Sequence, residues 1–241
     1  PSSSSSRGMS SSFLTLSNIS ACFNTSVVYT LIAVGMAFAI FVGEIDVSVG
    51  SNLGLVAAVV GTMIQNGSNW FAAFAVGICI GAVVGLINGW GVAVMKIPSL
   101  IFTLGTNGIL RGMMYLQVGA EQVNQLPKAF KDISSMTLVG SFTIYYCCAV
   151  LLTLLIHALL TRTRKGRYFI AVGDNAGGAE LVGIPATRTK VLAYVICGVL
   201  SAIGGIIFCS RIGIVTSLSG NGYEMKAVAA CVLGGISLSG G

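Results

Sequence analysis

Long apolar runs without charge alternate with short polar breaks along this chain. Cys22–Val42 is the first such run, and Val47–Met95 contains 49 residues without a charge. The break Gln65-Asn66-Gly67-Ser68-Asn69 divides the latter into Val47–Ile64 and Trp70–Met95. Pro98–Val118 (interrupted by Arg111), Val139–Thr161 and Val191–Ser210 follow, and another run begins near Lys226. A helix crossing about 30 Å of hydrocarbon needs about 20 residues at 1.5 Å each. The pattern therefore predicts an all-α polytopic transmembrane helix bundle, with six complete spans and a seventh begun.

Composition strengthens this reading. Of 241 residues, 55% are apolar and 8% are charged. Soluble domains carry about 25% charged residues, so a water-soluble fold is excluded, and the apolar content excludes a disordered or collagen-like chain. The net charge is +6, but Arg162, Arg164, Lys165, Arg167, Arg188 and Lys190 concentrate between two apolar runs. Lys and Arg are retained on the cytoplasmic side of membranes, so this cluster reads as a cytoplasmic loop rather than a nucleic-acid surface, which lacks its interleaved aromatics. Alternation then puts 43–46 and Lys96 inside, and 65–69 and 119–138 outside. Pro1–Arg7, with five consecutive serines, reads as a tag or disordered end, so residues 1–12 are set apart from a membrane domain over 13–241. A chain starting outside without a signal peptide, and running out in a Gly/Ser-rich stretch, is expected to lack a preceding and a following span. The seven cysteines form no C-x-x-C and read as packing residues.

Candidate chemistry is sparse. Gly77, Gly81, Gly85 and Gly89 recur every fourth residue and drift only about 40° per step, a small-residue stripe that admits a neighbouring backbone. Thr103, Asn107, Arg111 and Tyr115 repeat at the same interval; polar groups in a span face the bundle or water, which suits either interhelical hydrogen bonding or a polar path. Glu44-Ile45-Asp46-Val47-Ser48-Val49-Gly50-Ser51 separates two spans, either as a cap supplied by Asp46 or Ser48 or as a break between half-helices. No G-x-x-x-x-G-K-[ST] phosphate loop is present. His157 stands alone, with neither G-x-S-x-G nor H-E-x-x-H, so an intramembrane hydrolase has little support.

Several blocks, in order, resemble the inner-membrane permeases of bacterial ABC importers for ribose, other monosaccharides and autoinducer-2. Phe13-Leu14-Thr15-Leu16-Ser17-Asn18 is similar to the stretch after their first span. Val42–Ser51 resembles their Gly-Gly-Ile-Asp-Leu-Ser-Val-Gly-Ser signature, with Glu44 in place of a glycine. Ile97–Thr106, continuing to Arg111-Gly112, matches another block. Gly166-Arg167-Tyr168 through Ala171–Asn175 to Gly183-Ile184 and Lys190 resembles the loop whose short helix docks on the ATPase, and Gly222-Tyr223-Glu224 with Leu233-Gly234-Gly235 adds a further match. Two departures stand out: Glu44 sets a second carboxylate beside Asp46, and Gly177-Gly178 weaken the expected docking helix by about 1 kcal/mol each, so that the partner would have to order it.

The resemblance implies the ABC importer permease fold and a multi-pass protein of the bacterial inner membrane, non-catalytic and without cofactor or metal. It would translocate a monosaccharide or autoinducer-2 by alternating access. The implied partners are a cytoplasmic ABC ATPase docked at 162–190, a second permease chain (identical or homologous), and a periplasmic or lipid-tethered sugar-binding protein. Asp46, Ser48, Thr103, Asn107 and Arg111 are the candidate pathway residues, and Gly173, Asn175, Ala179, Leu181 and Gly183 the candidate coupling residues. A branched-chain amino acid permease is the nearest alternative, and a passive channel is the alternative of a different class.

Overall fold

A computed structural model describes residues 15–119 and 122–240; the expected tag at 1–12 lies outside them. Ten helices are formed among the described residues: α1 Leu16–Phe41, α2 Val49–Gln65, α3 Trp70–Ala93, α4 Ser99–Val118, α5 Lys128–Asp132, α6 Ile144–Arg162, α7 Arg164–Asp174, α8 Ala176–Leu181, α9 Ala186–Ile212 and α10 Tyr223–Leu233. Four are long and apolar enough to cross a membrane: α1 (over Asn18–Phe41), α3, α6 and α9. The apolar α2 has only 17 residues, α4 carries Thr103, Asn107 and Arg111, and α10 is a half-length helix of 11 residues.

Local chemistry sets the helix starts. Asn69 Oδ1 accepts from the Phe71 N–H (2.9 Å) and opens α3, Thr143 Oγ1 accepts from Tyr146 before α6, and Thr163 Oγ1 accepts from Gly166 before α7. Each satisfies an amide that a helix start leaves free. The span expected from Val139 begins only at Ile144, because Thr137–Val139 and Phe142–Thr143 pair as antiparallel strands β1 and β2. Gly140, at φ +56°, turns between them. The run expected from Val191 begins earlier, at Ala186, and the last begins at Tyr223 rather than near Lys226.

The bundle is built around α9. The glycine stripe of α3 lies against it: a Cβ at Gly81 would stand 2.5 Å from the Gly198 carbonyl, and one at Gly89 2.8 Å from Val191 Cα. At the other edge, a Cβ at Gly35 of α1 would stand 3.2 Å from the Cys197 carbonyl. Close backbone approach maximises van der Waals contact where lipid supplies no hydrophobic drive between helices.

The loops sort into the two sets that alternation requires. At one end Glu44 pairs with Lys190, and Gly240 lies beside Gly173. At the other, Val123 bridges to Val215, the Gln125 N–H donates to Gln65 Oε1, and Asn24 binds Ser141 and Thr143. The basic segment 162–190 is not a solvated loop. Phe169, Val172 and Ala179 pack with Phe38, Val42, Leu160 and Ala193, and the Phe38 and Phe169 rings meet edge-on at 5.1 Å.

Two non-helical segments enter this bundle from opposite ends. Glu44 lies at the level of Lys190, yet the Val49 carbonyl accepts from Ser201 Oγ at 2.6 Å. Lys190 and Ser201 are about 16 Å apart along α9; the chain covers the depth between them through non-helical residues 44–46, a turn at Val47 and Ser48 ahead of α2, and the reach of the Lys190 and Glu44 side chains. From the far end, the chain leaves Val215, turns at 217–222, and starts α10 inside the bundle. The segments touch where the Gly220 carbonyl lies against Gly50, closer than any Cβ there would permit.

Candidate translocation site and coupling segment

Asp46, Ser48 and Thr103 are all but inaccessible. Asp46 Oδ1 accepts from the Ser48 N–H (2.9 Å) and from Ser48 Oγ (2.7 Å). Asn88 Nδ2 donates to Ser48 Oγ (2.8 Å) and reaches both Asp46 oxygens at 3.3 and 3.4 Å. Thr103 Oγ1 accepts from the Val47 N–H (3.1 Å) and donates to the Ser99 carbonyl (2.8 Å). The cap expected from Asp46 or Ser48 is not formed: α2 starts without a side-chain cap, Asp46 closes a turn with Ser48 just ahead of the helix, and Asn88 and Thr103 from α3 and α4 hold the non-helical approach. Ser48 spends its hydroxyl on Asp46 rather than on the first turn of α2.

Glu44 does not crowd Asp46. Its Oε1 lies 2.5 Å from Lys190 Nζ, which draws the extra carboxylate toward α9. Together with Lys96, Pro98, Glu180 and Thr187, this pair lines a partly polar cavity of about 330 Å³ at the end of the bundle that carries the basic segment 162–190.

Asn107 and Arg111 belong to a different cluster. Arg111 Nη1 donates to the Ser219 carbonyl at 2.7 Å, fastening α4 to the re-entrant turn. Glu224, in the first turn of α10, accepts from the Gly222 N–H at 3.2 Å. Tyr115 is exposed, so the stripe leaves the bundle there. Five buried polar atoms have no hydrogen-bond partner among the described residues: Asn107 Oδ1, Arg111 Nη2, Glu224 Oε2, Asn52 Oδ1 and Asn88 Oδ1. The structure therefore divides the five candidates into a self-satisfied set (Asp46, Ser48, Thr103) and an unsatisfied one (Asn107, Arg111).

A concavity of about 840 Å³ is an apolar groove between α3 and α4 lined by residues such as Val76, Ile80, Ile101, Ile109 and Met113. It offers little to hold hydroxyl groups, which need partners when withdrawn from water: Thr106, on its lining, donates its own hydroxyl to the Phe102 carbonyl at 3.2 Å. Gly105, Gly108 and Gly112 on the outer face of α4 meet nothing within 4 Å.

The coupling candidates form a helical hairpin. Gly173 lies in the last turn of α7. Asn175 Oδ1 accepts from the Gly178 N–H at 2.8 Å and caps α8. Ala179 is buried against the bundle, and Gly183, at φ +83°, turns the chain toward α9. Leu181 projects outward at 90% exposure, beside Val182 at 76%. The expectation that α8 depends on a partner for order is corrected: despite Gly177 and Gly178, its cap and the burial of Ala179 order it within this chain.

Sequence reasoning missed Asn52, Asn88, Tyr194 and Glu224. Tyr194 Oη donates to the Ile45 carbonyl at 3.4 Å, and Asn52 Nδ2 donates to the Gly198 carbonyl at 3.0 Å. The available signal for Asn88 and Tyr194 was a polar residue alone in an apolar run; Asn52 follows Ser51, and Glu224 stood in the matched block Gly222-Tyr223-Glu224 without being given a role.

Residues 18–241 match the family model described as "Branched-chain amino acid transport system / permease component". Among curated proteins, the chain is 42% identical to the autoinducer 2 import system permease protein LsrC of Enterobacter sp. (strain 638), over 95% of this chain and 66% of the relative. It is 40% identical to that of Klebsiella pneumoniae over 95% and 66%, and 38% identical to that of Salmonella typhimurium over 97% and 67%. The chain thus spans about two thirds of the length of the relatives it matches. No solved structure matches it. With its several apolar spans and a family match over nearly its whole length, the chain is a multi-pass inner-membrane protein and belongs to this family of transport-system permease components.

Proposed function

We propose that this chain is the membrane subunit of an ATP-driven importer for a small sugar-like solute of the autoinducer-2 or monosaccharide class. Its neutral, hydroxyl-bearing cargo would pass between two permease chains, delivered by an external binding protein. The observation that carries this is the pairing of two features in one chain. One is a bundle entered from both ends by non-helical segments lined with amide, hydroxyl and charged groups. The other is a folded hairpin, α7–α8, on the basic end of that bundle, displaying an apolar tip at Leu181 and Val182.

Non-helical backbone is tolerated at membrane depth where protein buries it or water lines it, and transporters use such breaks to place polar groups between helices. In this reading Asn107 and Arg111 face the solute, while Asp46, Ser48 and Thr103 hold the break in shape. Gly173, Asn175, Ala179, Leu181 and Gly183 present α8 to the ATPase. Movement of α8 reaches α9 through Gly183–Pro185 and reaches the non-helical segment at 44–48 through the Lys190–Glu44 pair. ATP binding to the partner favours one of two packed arrangements and thereby alternates access. The solute undergoes no covalent change.

The names of the relatives, together with hydroxyl-compatible rather than apolar lining at the break, favour a sugar-like cargo over branched-chain amino acids. Uptake of labelled autoinducer-2 and of labelled leucine by the reconstituted transporter tests this. The expected result is ATP-dependent accumulation of autoinducer-2 and none of leucine; the reverse preference would overturn the assignment.

A further inference from the structure

We infer that Asn107, Arg111 and Glu224, where the two re-entrant segments cross, form a binding site for a small neutral molecule bearing adjacent hydroxyl groups. The inference rests on the transport reading above and gives it a specific contact set. Asn107 and Arg111 lie four residues apart on one face of α4, and Glu224 is brought to them by the turn at 217–222. Arg111 Nη1 is engaged by the Ser219 carbonyl and one oxygen of Glu224 by the Gly222 N–H. What remains is one free donor, Arg111 Nη2, and two free acceptors, Asn107 Oδ1 and Glu224 Oε2, all buried.

Such groups are costly to leave unpaired away from water. Their combination is selective. Two neighbouring hydroxyls can donate to the two acceptors while one of their oxygens accepts from the guanidinium. An anionic ligand meets the Glu224 carboxylate, a cationic one meets Arg111, and an apolar one satisfies neither. Asn52 and Asn88 also keep an amide oxygen free, but each spends its N–H groups on the fold, so neither offers a donor and acceptors together. The surroundings fix the geometry: a Cβ at Gly54 would stand 2.5 Å from the Ser219 carbonyl and 2.7 Å from Met114 Sδ. At Gly50 the same close packing involves the Gly220 carbonyl and Glu224 Oε2, so the α2 backbone and the turn at 217–222 together fix where Arg111 and Glu224 stand.

The test uses the complete transporter in proteoliposomes, with both permease chains, the ATPase and the binding protein present and labelled autoinducer-2 as the probe. Initial rates are compared for wild type, Glu224→Gln and Asn107→Leu. Each variant is expected to lower Vmax about tenfold or more, the scale of one hydrogen bond involving a charged or buried partner. KM for the loaded binding protein should stay constant, because delivery precedes passage through the crossing. Thermal midpoint and co-purification with the ATPase should also be retained. Unchanged Vmax in both variants would overturn the site. A loss of Vmax matched by a fall in thermal midpoint or assembly would overturn it too, by assigning these residues to packing. Failure of the wild type to move the probe would instead sink the transport reading itself.

Discussion

Replacing Leu181 and Val182 together by serine separates docking from folding, because the structure gives these side chains no work within the chain. Leu181 is 90% exposed and Val182 76%, so their removal takes almost no apolar area out of the bundle. Full burial of one such side chain is worth about 1.5–3 kcal/mol, and ordering it on a partner costs about 0.5–1.5 kcal/mol. For the pair the net contribution to docking is about 2–4 kcal/mol, which corresponds to roughly thirtyfold to several hundredfold in affinity. The assay is titration of the purified chain, in lipid nanodiscs, with its ATPase, alongside the thermal midpoint of the chain alone. The expected outcome is weakened binding at an unchanged midpoint. Wild-type affinity in the double variant would refute the assignment of α8 as the coupling element.

Four further substitutions, one of them a control, probe the physical account. Gly85→Ala would push a Cβ to within 2.7 Å of Val195 Cα and closer still to the Tyr194 carbonyl; overpacking of this kind costs about 1–3 kcal/mol, so its thermal midpoint should drop while Gly105→Ala, with open space around it, leaves it unchanged. Gly177→Ala adds a Cβ whose nearest neighbour is Asn175 Oδ1 at an ordinary 3.5 Å, and removing a helical glycine gains about 1 kcal/mol, so hydrogen exchange across 176–181 should slow about fivefold. Glu44→Gln removes a half-buried ion pair with Lys190, at a cost of about 1 kcal/mol, and the deficit in thermal midpoint should shrink as salt rises.

The membrane spans were legible because a charge-free run of helical length has few other fates, and the glycine stripe of α3 reported its close neighbour through spacing alone. The break at 43–48 was legible as polar residues between apolar runs, but its depth was not. That depth depends on Ser201 and Asn88, which lie 152 and 42 residues away from their partners. The turn at 217–222 reads locally as an ordinary Gly/Ser loop; only Arg111 and Gly50 reveal that it lies inside the bundle. The α7–α8 hairpin was masked by its charge, since Arg164, Lys165 and Arg167 are exposed at the start of α7 and only Phe169 and Val172 mark its buried side. Glu44 looked disruptive because Lys190, its partner, is 146 residues distant.

The most direct measurement of the central claim is the rate of autoinducer-2 entry into proteoliposomes containing the permease chains, with the ATPase and ATP supplied or withheld on the side that carries Arg162–Lys190. Accumulation against a gradient only when both are supplied is the predicted result. Equal flux in their absence would make the protein a passive channel and contradict the account.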